Sequence, residues 1–378
     1  MAVVTCIEDL RQMSKKRIAR AIFDYVDRGS YGEYTLRANR ADLEALTLRQ
    51  RVGVDVDRRS TRTTMAGQEV ALPVALAPVG LTGLNWANGE ILSARAAERF
   101  GVPYTLSTMS ICSIEDVAGA VTKPFWFQLY VMRDRGFAAS LIERAKSAGC
   151  SALVLTLDLQ VQGQRHQDIK NGLAVPPRLR FGTLMGMLRK PSWFLNVMTN
   201  KRKSFGNLEG RIPEGDSLTT LAQWIGSQFD PTLSWKDVEW VKKLWGGKLI
   251  LKGILDAEDA KIAASTGADA IVVSNHGGRQ LDSTASSIRV LPEVVDAVGG
   301  RIEVLFDGGI RSGQDLLKAL ALGARGAMIG RAYVYGLGAL GEKGVTRALE
   351  IIRGELDVSM ALCGLRDVKD ASPAILRA

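Results

Sequence analysis

One rhythm constrains this chain more than any other feature. Eight short apolar runs recur along it, each apolar at both odd and even positions, and most end in Gly, Pro or a polar residue. They are LPVALAP around Val74, VPYTLS around Thr105, FWFQLY around Phe127 and ALVLTLD around Val154, then KLILKG around Ile250, DAIVVSNHGG around Val272, IEVLFDGG around Leu305 and GAMIGR around Met328. A strand with one wet face alternates apolar and polar residues. A run that is apolar on both faces needs cover on both, which is the condition of a parallel strand. Between the runs lie helical stretches such as NGEILSARAAERFG, FAASLIERAKSAG, DAEDAKIAASTG, SIRVLPEVVDAVG and SGQDLLKALALG. Several open on Asp, Asn or Ser and close on Gly, the asymmetry of helix caps. Eight such units predict an α/β fold of the (β/α)8 TIM-barrel type. An open doubly wound sheet competes with it, but no G-x-G-x-x-G follows the first run.

This reading makes a single domain of residues 1–378. Residues 1–70 are expected as an N-terminal helical cover and residues 71–378 as the barrel, with an insertion after strand 4 that contains a basic and apolar segment over 176–210. The stretches SLTTLAQWIGSQF and SWKDVEWVKKLWGG are expected as helices before strand 5. An apolar fraction of 46% supports a large core. The four cysteines are scattered with no C-x-x-C, and there are only two histidines. Free thiols and no metal site are therefore expected. No run is long and apolar enough for a spanning helix, and the N-terminus lacks the apolar centre of a signal peptide.

The net charge is +9, and its position is informative. Between Asp168 and Glu209 there is no acidic residue, whereas Lys170, Arg178, Arg180, Arg189, Lys190, Lys201, Arg202 and Lys203 supply nearly all of the excess. A nucleic-acid binder spreads basic surface over a folded module. Charge confined to one segment argues against a nucleic-acid partner.

Barrel chemistry sits at the C-terminal ends of the strands. Reading each end in turn gives Ser107, Gln128 with Tyr130, Thr156 with Asp158, Lys252, His276 with Arg279, and Asp307 with Arg311. Any one of these fits a loop hydrogen bond or a solvated charge. The set exceeds what a structural core requires. DGGIRSG opens a helix after the seventh run, and IGR follows the eighth. Glycines there let backbone N–H groups approach an anion, and Arg adds a charge-assisted pair.

At these residues the chain resembles a known family. SNHGGRQLD, DGGIRSG, WFQLYV, LTLD and LSWKDVEW together resemble the FMN-dependent L-2-hydroxy-acid dehydrogenases and oxidases, over about residues 5 to 375. EYTLRAN, LAPVGL, FQLYVMRDRG, SWKDVEW and KGILDAEDA look most like the bacterial quinone-linked L-lactate dehydrogenase branch. The resemblance implies FMN as cofactor and oxidation of a small L-2-hydroxy acid, with L-lactate to pyruvate as the expected reaction. By resemblance, His276 is the base and Asp158 its carboxylate partner. Arg165 and Arg279 match the substrate-carboxylate clamp, while Tyr25 and Tyr130 match substrate hydrogen-bonding groups. Lys252 matches a lysine beside the flavin edge that gains negative charge. Ser107, Gln128 and Thr156 match flavin contacts, and Pro78 and Val79 the strand-1 turn against the ring. Asp307, Gly308, Gly309, Arg311, Gly330 and Arg331 match ribityl and phosphate contacts. Two departures stand out. Gln160 occupies a position where the family often has Pro, and Met109 stands where glycolate oxidase has a tryptophan, on the wall of the side-chain pocket.

The segment over 176–210 mixes Trp, Phe, Leu and Met with positive charge alone, which suits an anionic lipid surface. An active-site lid is the competing reading. The resemblance implies peripheral attachment to the cytoplasmic face of the inner membrane through this segment, a quinone as electron acceptor and a homotetramer. A soluble 2-hydroxy-acid oxidase of glycolate or mandelate type, using oxygen, is the alternative within the family. An FMN barrel isomerase, or a flavin-binding protein without catalysis, would not need two carboxylate-binding arginines beside a His–Asp pair.

Overall fold

A computed structural model describes residues 3–172, 185–186, 188–202, 204–209 and 228–377. Eight parallel strands form one sheet: β1 (Val74–Leu76), β2 (Thr105–Ser107), β3 (Trp126–Leu129), β4 (Ala152–Thr156), β5 (Lys248–Ile254), β6 (Ala270–Val273), β7 (Glu303–Asp307) and β8 (Gly326–Ile329). Each strand pairs with its sequence neighbours, and β8 returns to β1. The ring closes between β1 and β2 through the Leu76–Tyr104 bridge, where Leu76 N–H donates to Pro103 O at 2.9 Å. The chain is thus an eight-stranded α/β barrel.

The two-faced apolar runs resolve into two separate clusters. Ala75, Trp126, Val154, Ile250, Val272, Leu305 and Met328 fill the barrel interior. Their chain neighbours Leu76, Phe127, Leu155, Leu251, Ile271, Phe306 and Ile329 pack outward against the helices. Side chains alternate along a strand, so each inward position is followed two residues later by another. At the C-terminal end this inward row turns polar: Gln128 follows Trp126, Thr156 follows Val154, Lys252 follows Ile250 and Asp307 follows Leu305. The floor of the site is therefore the last rung of the same pattern that fills the barrel.

Residues 1–70, expected as a helical cover, carry helices Ile7–Arg17, Arg20–Asp27 and Tyr34–Ala45. The second of these reaches the barrel mouth, where Ile22, Tyr25 and Val26 line the central cavity. The same region also contains a hairpin, Thr63–Met65 with Gln68–Val70, which was not part of that expectation. It plugs the opposite end: Met65 and Val70 join the interior cluster, and Gln68 Oε1 accepts from Trp126 Nε1 at 2.7 Å. The expected helix SWKDVEWVKKLWGG forms as Trp235–Trp245, with a Ser234 capping box and Gly246 in the left-handed region at its end. The expected helix SLTTLAQWIGSQF lies outside the described residues except at 228–229.

Candidate active site

A cavity of about 860 Å³ opens at the C-terminal ends of the strands. Of the eighteen residues expected at the site, all but Gln128 and Asp158 line it. Those two lie directly behind lining residues. Gln128 Oε1 accepts from Ser107 Oγ at 3.2 Å, and Asp158 Oδ1 lies 2.9 Å from His276 Nδ1. Met109 also lines the cavity. The second histidine, His166, is not on the lining and meets Tyr31 edge-on, with ring centroids 5.8 Å apart.

At the cavity, His276 Nδ1 and Asp158 Oδ1 form a close pair. A carboxylate only accepts hydrogen bonds, so the imidazole proton sits on Nδ1 and the Nε2 lone pair is left as the basic position. Burial holds His276 below the ordinary histidine range, opposed by the Asp158 charge and reinforced by Lys252 and Arg165. Burial acts on Asp158 in the raising direction, but His276 and Lys252 outweigh it and keep the carboxyl ionised, below the usual range. The pair is thus a neutral base backed by a charge that stabilises the imidazolium. Gln280 fixes Asp158 from behind: its Nε2 donates to Asp158 O at 2.7 Å and to Val161 O at 2.9 Å. Burial, with the Asp158 charge adding, raises Tyr130, so its phenol stays protonated as a donor.

Lys252 is 4% exposed. Its Nζ lies 2.7 Å from Asp307 Oδ2 and donates to Ser274 Oγ at 2.8 Å. Burial works against its ammonium, but Asp307 and Asp158 hold it above the ordinary lysine range. Around this charge, Gln128 Nε2, Thr156 Oγ1 and Asp307 Oδ1 are buried with no hydrogen-bond partner among the described residues. Buried polar atoms are rarely left so. They fit a ligand rich in ring heteroatoms and hydroxyls, as FMN is.

Arg165, Arg279, Arg311 and Arg331 also line the cavity, and none forms an ion pair among the described residues. Burial and Arg165 bring Arg279 down to about 9. Burial, with Arg311 and Arg165 contributing, brings Arg331 down to about 10. Guanidiniums crowded together without an ion-pair partner suit anionic groups such as a phosphate or a carboxylate. Arg165 Nε donates to Arg279 O and Arg311 Nη1 to Ile310 O, whereas Arg279 and Arg331 are held by carbonyl groups at and just beyond the C-terminal end of helix Arg20–Asp27. Arg279 Nη1 donates to Tyr25 O at 2.5 Å and to Arg28 O at 3.0 Å. Arg331 Nε donates to Val26 O at 2.8 Å, and its Nη2 to Arg28 O at 3.0 Å. The last carbonyls of a helix lack intrahelical partners and carry its negative end, so they suit buried cations.

Sequence reasoning passed over two groups. Asn39 and Arg40, inside the EYTLRAN-R stretch, contact Asn275 beside His276 and Gly309 in the loop after β7. Asp168, 6% exposed and on the cavity wall, has its carboxyl raised by burial, against the pull of Arg279 and Arg165. Its place three residues after Arg165 was the available signal.

The insert is described over part of its length. Helix Pro191–Met198 buries Trp193, whose Nε1 donates to Leu84 O at 2.8 Å, and exposes Leu195 at 66% and Met198 at 54%. Two of its expected surface cations are ion-paired: Lys201, its side chain 64% exposed, meets Asp116 at 2.6 Å, and Arg202 pairs with the same buried carboxylate.

The profile of the FMN-dependent dehydrogenase family matches residues 14–378. The L-lactate dehydrogenase of Caulobacter sp. (strain K31) is 47% identical over 375 residues, covering 99% of this chain and 98% of the relative. That of Acinetobacter baumannii (strain AYE) is 46% identical over 369 residues, covering 97% and 96%. Among solved structures, the monotopic membrane protein (S)-mandelate dehydrogenase superposes with a TM-score of 0.94 at 36% identity, with 100% of both chains covered. A mandelate oxidase superposes at 0.85 and 37% identity, covering 99% of this chain and 98% of the other.

Proposed function

The chain belongs to the FMN-dependent dehydrogenase family, and on that premise we propose that it oxidises L-lactate to pyruvate and delivers the electrons to a membrane quinone. Oxidation of a 2-hydroxy acid with FMN is common ground among its relatives. Lactate and the quinone are the finer part of the proposal. The observation that carries the reading is the His276–Asp158 pair at 2.9 Å, set between Lys252 and a cluster of unpaired guanidiniums.

Bound FMN supplies the two-electron acceptor. Arg165 and Arg279 would hold the substrate carboxylate, Arg279 trading its carbonyl acceptors for the anion. Tyr25 and Tyr130 would hydrogen-bond the substrate, Tyr130 near its hydroxyl oxygen. His276 Nε2 takes one proton from the substrate, and Asp158 stabilises the resulting imidazolium. Whether that proton leaves oxygen or Cα, the same side chains serve. Lys252 would set positive charge against the flavin edge that becomes negative. Asp307, Gly308, Gly309, Arg311, Gly330 and Arg331 would hold the ribityl chain and phosphate, with the start of helix Arg331–Leu340 favouring the anion. Ser107, Gln128, Thr156, Pro78 and Val79 would complete the flavin bed.

Lactate as substrate is supported by the names of the 46–47% identical relatives. Peripheral membrane attachment is supported by the monotopic mandelate dehydrogenase and by the exposed apolar residues of helix Pro191–Met198, and the cytoplasmic face of the inner membrane is the finer part of this proposal. No helix among the described residues is long and apolar enough to cross a membrane. The homotetramer implied by the family resemblance is part of the same proposal, and the solution mass tests it.

The experiment is anaerobic flavin reduction with L-lactate, glycolate and (S)-mandelate, followed by reoxidation with a short-chain quinone or with oxygen. Lactate should bleach the flavin fastest, and quinone should restore it faster than oxygen. Faster bleaching by mandelate, or preferential reoxidation by oxygen, would overturn the finer reading.

A further inference from the structure

Two consecutive residues of helix Tyr34–Ala45 reach two different parts of the site. Asn39 and Asn275 exchange side-chain amide hydrogen bonds: Asn39 Nδ2 donates to Asn275 Oδ1 at 2.9 Å, and Asn275 Nδ2 donates to Asn39 Oδ1 at 2.8 Å. Both side chains are buried, at 2% and 5% exposure. Asn275 Oδ1 also accepts from Gly278 N at 3.1 Å, so the amide spans the turn that carries His276. Asn39 Oδ1 accepts in addition from Ser287 N at 3.2 Å. The next residue, Arg40, donates from Nη1 to Gly309 O at 2.5 Å and to Asp315 Oδ2 at 2.6 Å. The same Asp315 oxygen accepts from Arg311 N at 2.8 Å.

The turn needs such support. His276 has φ +57°, followed by Gly277 at +65° and Gly278 at +70°. A left-handed residue with a Cβ is costly and persists only where its surroundings over-determine it. From outside the turn and its own βα unit, Ser30 N donates to Gly278 O at 3.0 Å and Arg331 Nη1 to Gly277 O at 2.8 Å, while Asn39 is the group that holds Asn275, the residue before His276. At the other loop the argument is peptide planarity. The C=O and N–H of a trans peptide point in opposite directions. Tying Gly309 O to Arg40 aims the Ile310 N–H away from that helix, and Gly309 and Ile310 both line the cavity.

We propose that Asn39 and Arg40 are positioning residues: Asn39 sets the orientation of the base His276, and Arg40 sets the anion-binding face of the loop Gly308–Arg311. One helix thereby links proton abstraction to cofactor retention. This rests on His276 being the base. The role is not mere packing, because each side chain is spent on polar groups of a loop that faces the cavity.

The test uses the holoenzyme with L-lactate. Asn39→Ala should slow flavin reduction about tenfold, the scale of one buried hydrogen-bond partner lost, and should shift the acidic limb of its pH profile. Its FMN affinity should stay within about twofold of wild type. Asn39→Asp keeps the acceptor for Ser287 N and should fall between wild type and Asn39→Ala, so a poorly folded alanine variant does not end the test. Arg40→Met should weaken FMN about tenfold while leaving the reduction rate at saturating FMN near wild type. Wild-type reduction and pH profile in both Asn39 variants would overturn the first assignment. Wild-type FMN affinity in Arg40→Met would overturn the second. His276→Gln run alongside separates the failures: if it too reduces flavin normally, the assignment of the base has failed.

Discussion

Gly253 and Asp158 lie so close that no methyl group fits between them. A Cβ at residue 253 would stand 2.7 Å from both Cβ and Cγ of Asp158. Gly253 has φ +106° and sits where the β5–β6 register shifts between Lys252 and Ile254. Lys252 faces inward by the strand's own alternation, and the bulge just after it, with no side chain at Gly253, clears the space in which Asp158 meets His276.

Gly253→Ala therefore meets both a backbone penalty and a clash. We expect a fold less stable by about 1–3 kcal/mol and a disproportionate loss of flavin reduction, because the residue that must move is Asp158. Thermal melts and anaerobic stopped-flow check the two effects. Unaltered reduction in a destabilised protein would show that Asp158 tolerates displacement.

The pH profile carries a defined sign. His276 works as a base only when neutral, and burial places it below the ordinary 6.5. Activity should thus be constant through neutral pH and fall as pH drops below that value. Asp158 is the charge that favours the imidazolium, so Asp158→Asn should move the acidic limb to still lower pH while slowing reduction. His276→Gln should cost about 10²- to 10⁴-fold, the range of general base catalysis. The measurement is the reduction rate against pH for the three proteins. An Asp158→Asn limb that moves upward would contradict the assignment.

Helix Pro191–Met198 offers a direct test of membrane attachment. Leu195 is 66% exposed and is not on the cavity lining. Leu195→Asp should release the protein from anionic vesicles in a sedimentation assay and leave anaerobic flavin reduction by lactate unchanged. Continued sedimentation would move the lipid-facing surface elsewhere.

Much of this site was legible because it is written in strand ends. The inward row of each strand has period two, so Thr156 and Lys252 could be placed at the mouth once the runs were read as strands. The bond between Asp158 and His276 came instead from family resemblance, since nothing in LTLD says where it points. The carbonyls of Tyr25, Val26 and Arg28 were illegible for a different reason: a backbone acceptor has no residue identity. Asn39 and Arg40 look like an ordinary polar stretch of helix until their partners, more than 230 residues away, are known. The pairing of Lys201 and Arg202 with one carboxylate was hidden too, because a run of cations does not name Asp116.

The carbonyl acceptors at the end of helix Arg20–Asp27 have a consequence for how the enzyme comes into being. Arg279 is 254 residues from Tyr25, and Arg331 is 305 residues from Val26. A ribosome has finished most of the chain before either guanidinium exists to be held. These contacts close some of the longest loops in the molecule, which places them among the slower events of folding. A nascent or truncated chain could form several strands and helices and still lack an ordered anion clamp. Activity in this protein therefore requires that synthesis has passed Arg331.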